Sequence, residues 1–158
     1  VNKIWQAYRE YDGHGLFGDV ALQHGAALAF WLQKGAQVIV MKRDLEGYLA
    51  SWHKKSGPRN NWQPPNQGGT PRANWYDCFP KFRGMKSKEA ALVAYYDFYY
   101  DQVKDASTMF PDQVAVFHTY ALNSEAGQRR ILEFAGLEAE AHVYQVGIRR
   151  NKSKKRRR

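Results

Sequence analysis

Arg43 and Ser51 are the two side chains whose types and spacing point most directly to chemistry. A guanidinium is a planar fork that stays charged and matches a phosphate through parallel hydrogen bonds, and a serine hydroxyl adds a further donor. Both belong to the stretch Gln37 to Lys55. Its apolar run, Val38 to Met41, has the length and β-branching of a strand buried on both faces, and Lys42, Arg43 and Asp44 end it abruptly. Asp44 is placed to cap a helix through Trp52, its carboxylate accepting from free backbone N–H groups of the first turn. In open parallel sheets such a strand-to-helix corner, beyond the carboxyl ends of the strands, is where anionic ligands sit. In the plainer reading, Arg43 is a solvated strand end and Ser51 a helix-surface residue.

Other polar groups are less specific. Gly13, Gly15 and Gly18 have dinucleotide-motif spacing, but the preceding Tyr8 to Asp12 is no strand, so the pattern lacks the context that gives it meaning. His24 sits on a mainly apolar helix face, where a histidine is either a structural residue or a proton carrier. Cys78 is the single cysteine, which excludes an internal disulfide framework and a multi-cysteine metal cluster and fits a reducing compartment. No apolar run reaches the length of a membrane span and the N-terminus is not a signal peptide, so a cytoplasmic or otherwise soluble protein is expected.

The net charge of +9 suggests a polyanion partner. Arg149, Arg150, Lys152, Lys154, Lys155, Arg156, Arg157 and Arg158 supply eight of those charges with no acid among them, which assigns the basic character to a tail over 149–158. Such a tail is either a disordered, solvated end or a salt-sensitive contact to nucleic acid or another polyanion.

The elements that must position Arg43 and Ser51 follow an α/β order. Gly18-Asp19 opens a helical segment from Val20 to Leu32, stopped by Gly35, which leads into the strand at Val38. From Ser56 to Gly84, prolines and glycines forbid a helix or central strand, so a long lid-like loop is expected. Trp62, Trp75, Tyr76, Phe79 and Phe82 alternate there with Arg59, Arg72, Lys81 and Arg83. They suit a sugar or other polar acceptor, or else anchor the loop to the core. Ser87 starts a helix to about Phe110 whose Leu92, Tyr95, Tyr96, Tyr99, Val103 and Ala106 form one apolar stripe, making the tyrosines core before chemistry. Val114 to Phe117 reads as a second buried strand. Ser124 caps a last helix with Ile131, Leu132, Phe134 and Ala135 inward and Gly136 as its stop.

An apolar strand, then Arg, a nearby acid, an aliphatic stretch and a Ser-aromatic pair resembles the 3′-phosphate-binding segment of sulfotransferases that use 3′-phosphoadenosine 5′-phosphosulfate (PAPS). The resemblance extends backward through Gly18-Asp19 and its apolar helix. It extends forward through the Tyr-rich helix, Phe110-Pro111-Asp112, the second strand, and the run from Leu122 to Leu137, so it spans most of Phe17 to Leu137. It implies a three-layer α/β domain over 1–148, with a parallel central sheet flanked by helices. Arg43 and Ser51 would hold the 3′-phosphate of PAPS or its product 3′,5′-adenosine bisphosphate, with no metal required. The acceptor would be a hydroxyl on a carbohydrate or small metabolite. Asp19 falls where such enzymes carry a group meeting that hydroxyl, which must lose its proton as it attacks sulfur. Asp19 is otherwise only a helix cap, and His24 is the other candidate base.

The chain departs from the family in three places. Ala121 stands where an acid is usual, and Gly147-Ile148-Arg149-Arg150 only loosely suggests the family's C-terminal nucleotide contact. Nothing before Arg43 resembles the strand and Gly-containing phosphate loop that hold the 5′-phosphosulfate. The chain begins at Val1 rather than Met, and the expectation is therefore an N-terminally incomplete sulfotransferase domain, inactive alone. The alternative is a non-catalytic structural or virion-associated protein that reuses the fold, with a nucleic-acid-binding tail.

Overall fold

The computed structural model describes residues 27–70 and 80–147. Asp19, His24, the glycines at 13–18, Cys78 and the 149–158 tail lie outside them, as do Arg72, Trp75, Tyr76 and Phe79. The described part is mixed α/β, with helices around a two-stranded parallel sheet. Its elements run α1 (Leu28–Gln33), β1 (Val38–Lys42), α2 (Leu45–Ser56), α3 (Lys88–Met109), β2 (Val114–His118) and α4 (Glu125–Phe134), with short 3-10 turns between.

Both strands form where β-branched residues cluster, and they pair in register, Val38 opposite Val114 and Lys42 opposite His118. Parallel neighbours cannot be joined by a tight turn, and α2 and α3 make the crossover between them. Strand alternation puts Val40 and Val114 on one face and Phe117 on the other. The first face packs on α1 and α3, burying Leu32, Val103 and Ala106 together with the two valines. On the other, the Phe117 ring meets Phe134 of α4 edge-on at 6.5 Å.

The helix ends follow local chemistry. Asp44, Ser87 and Ser124 each cap a helix, accepting from the backbone N–H three residues on (Gly47, Ala90 and Gly127). Helix α2 outruns the expected end at Trp52 by a turn, because nothing before Gly57-Pro58 breaks it. Ser56 donates to the Trp52 carbonyl at 2.5 Å, and Gly57 closes the helix at φ 54°.

The 56–84 segment begins inside the fold rather than as a cover over it. Trp62 is fully buried against Trp52, Ala91 and Leu92, with Phe82 and Met85 packed alongside. Burying this backbone requires partners, and they are present. Thr70 N–H donates to the Asn60 carbonyl, Phe82 N–H to the Trp62 carbonyl, Lys81 Nζ to the Asn61 carbonyl and Gln63 Nε2 to the Met85 carbonyl. Of the two roles expected for the loop aromatics, Trp62 and Phe82 therefore anchor. No described helix is long and apolar enough to cross a membrane.

Candidate functional site

β1 ends at Lys42, Asp44 caps α2, and Arg43 is the residue between them. Its peptide is held from both sides by α3. The backbone N–H of Arg43 donates to the Tyr100 hydroxyl at 3.2 Å, and the Tyr96 hydroxyl donates to the Arg43 carbonyl at 2.7 Å. The two tyrosines are one helical turn apart, with rings in edge contact at 4.6 Å, so a single helix face supplies both groups. Burial raises both phenols above the usual tyrosine range, while the Arg43 N–H partly offsets this at Tyr100. Both hydroxyls therefore stay protonated at neutral pH, as Tyr96 must in order to donate.

With its backbone fixed, the Arg43 side chain turns over the first turn of α2. Its Nε lies only 2.7 Å from the point where a β-carbon on Gly47 would stand. The guanidinium is exposed, and no carboxylate pairs with it among the described residues. Ser51 follows Gly47 by four residues, one turn along the same face, and is also exposed. The structure thus brings Arg43 and Ser51 to one side of one helix, with a residue lacking a side chain between them.

The electrostatics restrict how an anion would sit. The Asp44 carboxylate takes the Gly47 N–H at 2.6 Å, and Glu46 adds a second acid to the first turn, so the helix axis itself is negatively occupied. The Asp44 carboxylate oxygens also stand 2.9 and 3.2 Å from the point where a Gly47 β-carbon would stand, beside Arg43 Nε, so an anion gripped by Arg43 must approach from the side of the guanidinium away from Asp44. Lys42, the neighbouring cation, rests its ammonium over the Tyr100 ring, 5.2 Å from the centroid. Among the described residues, no three His, Cys, Asp or Glu side chains come together as a metal site.

The tyrosine clamp is what sequence reasoning missed. Periodicity puts Tyr96 on the apolar stripe of α3 and gives Tyr100 no role. The available signal was tyrosine, rather than leucine or phenylalanine, at 95, 96, 99 and 100, since a buried tyrosine normally needs a partner for its hydroxyl. Tyr48 shows the contrast. It packs edge-on against Trp52 and Tyr96, but its buried hydroxyl has no hydrogen-bond partner among the described residues. Asp19 and His24 lie outside the described residues, so the structure gives the candidate base no position.

Comparison of the chain with protein-family models, with curated proteins and with solved structures finds no match.

Proposed function

We propose that the β1–α2 corner binds the 3′-phosphate of a phosphorylated adenine nucleotide, PAPS or 3′,5′-adenosine bisphosphate, in a sulfotransferase-like α/β domain. The observation that carries this is the exposed Arg43 guanidinium, without a carboxylate partner among the described residues, laid across Gly47 on the face that bears Ser51. A planar fork beside a hydroxyl suits a terminal phosphate, and pinning the Arg43 peptide between two tyrosines lowers the entropy lost when that phosphate is gripped. The three-layer architecture of that family is part of the same proposal, supported by helices on both faces of a parallel strand pair.

In the full reaction, an acceptor hydroxyl forms an S–O bond to the sulfuryl group as the bond to the phosphate oxygen breaks. 3′,5′-Adenosine bisphosphate leaves, and the hydroxyl proton passes to a base, for which Asp19 is the candidate. No glycine-rich, cation-bearing loop stands before Arg43 in the sequence, so this chain supplies the 3′-phosphate grip and transfer depends on such a loop being provided.

Calorimetry with 3′,5′-adenosine bisphosphate and with 5′-AMP tests the proposal. Arg43→Ala is expected to weaken the bisphosphate by at least about 1.5 kcal/mol, as loss of a charge-assisted contact should, and to leave 5′-AMP unchanged. Equal affinity of wild type and variant for the bisphosphate would refute the site.

A further inference from the structure

The near-neutral average of the chain outside its tail conceals a strong segregation of charge. Residues 47–58 carry Lys54 and Lys55, 59–70 carry Arg59, and 80–88 carry Lys81, Arg83, Lys86 and Lys88, with no Asp or Glu in any of these stretches. From 89 to 147 the balance reverses, with nine acids against Lys104, Arg129 and Arg130. The part of the chain before the tail, near neutral in sum, therefore has basic stretches of its own.

The basic stretches are one structural unit. The Gly84 N–H donates to Gln67 Oε1 at 2.8 Å, Gln63 Nε2 to the Met85 carbonyl at 2.6 Å, and Lys88 Nζ to the Gly57 carbonyl at 2.6 Å. These bonds tie the end of α2, the loop after it and the start of α3 into a single end of the molecule, built on buried Trp62. Part of the charge there has a structural explanation. His53, Lys54 and Lys55 complement the partial negative charge of the α2 C-terminus, and Lys81 and Lys88 satisfy carbonyls. Arg59, Arg83 and Lys86 do neither. They are exposed, and their side chains make no hydrogen bond or ion pair among the described residues.

We infer that this end of the fold, from Lys54 to Arg59 and Lys81 to Lys88, is a docking surface for the phosphate backbone of double-stranded nucleic acid, read without regard to sequence. Exposed cations spread over a hydrogen-bonded end of the fold can meet several phosphates of a duplex backbone. Among the described residues, none of the large exposed hydrophobic side chains belongs to these stretches, so the described surface offers a polyanion cations rather than rings. The exposed ring that touches this end, Phe98 against Phe82, sits beside Asp97. Asp97, Asp101 and Asp105 are exposed along α3, outside the basic stretches. The surface lies at the opposite end of α2 from Arg43, about 18 Å away for a 12-residue helix, and does not rest on the nucleotide proposal.

Fluorescence anisotropy of the full chain with a labelled duplex of about 20 base pairs, in two unrelated sequences and over a salt series, tests this. The triple variant Arg59→Gln, Arg83→Gln, Lys86→Gln should bind both duplexes at least about tenfold more weakly near 0.1 M salt. Its slope of log K against log salt should be shallower by about 2 to 3, with an unchanged melting temperature. A chain cut after Arg150 should retain a slope that the triple substitution then reduces. The inference is overturned if the triple variant matches wild type, if removing the tail abolishes all binding, or if only anionic vesicles, and not the duplex, respond to the substitutions.

Discussion

Replacing Gly47 by alanine perturbs the candidate site without substituting either proposed phosphate ligand. The added methyl would stand 2.7 Å from Arg43 Nε and 2.9 and 3.2 Å from the two Asp44 carboxylate oxygens. Ordinary contact begins at 3.4 Å, so the guanidinium must retreat by about 0.7 Å, and as the far part of a flexible side chain it can do so. For stability, two effects oppose each other. Alanine gains about 0.5–1 kcal/mol over glycine in a helix, and a displaced Asp44 loses part of a cap worth about 1 kcal/mol, so the net change should stay within about 0.5 kcal/mol. For binding nothing compensates, because a charge-assisted bond tuned to one geometry is moved by more than its tolerance. A loss of about 1 kcal/mol, roughly fivefold, is expected for 3′,5′-adenosine bisphosphate. Calorimetry on wild type, Gly47→Ala and Arg43→Ala, with urea melts of each, separates the terms. The reasoning fails if Gly47→Ala binds as tightly as wild type, or if its affinity falls only in step with a loss of folded protein.

Three further outcomes follow from the packing. Gly127→Ala should cost about 2–3 kcal/mol in a urea melt, because its β-carbon would lie 2.2 Å from the Ala121 carbonyl oxygen and 2.7 Å from the adjoining backbone carbons, which unlike Arg43 cannot swing away; a neutral result would mean that α4 is not seated on the turn before it. Trp62→Ala should cost about 3–5 kcal/mol, since the ring is fully buried and meets Trp52 edge-on at 4.9 Å, and retention of wild-type stability would show the 60–63 segment to be peripheral. Burial holds Tyr48, Tyr96, Tyr99 and Tyr100 above the ordinary tyrosine range. Above about pH 10 the unfolded chain therefore releases protons that the folded one keeps, and the contribution of these tyrosines to stability should be constant below that pH and fall above it; melts followed by tyrosinate absorbance would contradict this if these groups ionised before unfolding.

The sequence by itself determined what depends on a few neighbouring residues. The β-branched runs at Val38 and Val114, the caps at Asp44, Ser87 and Ser124, and the stops at Gly35 and Gly136 are written in chemistry within one helical turn, because capping bonds and left-handed glycines act locally. Tertiary structure alone decided where side chains go once those elements meet. Tyr96 and Tyr100 reach Arg43 across 53 and 57 residues of chain, Trp62 passes from a loop rich in proline into the core, and the cations of 54–59 and 81–88 gather at one end. Periodicity shows that a face is buried but not which distant backbone group will need its hydroxyls. That is set by long-range packing, in which an unpaired buried donor or acceptor is costly once water is gone.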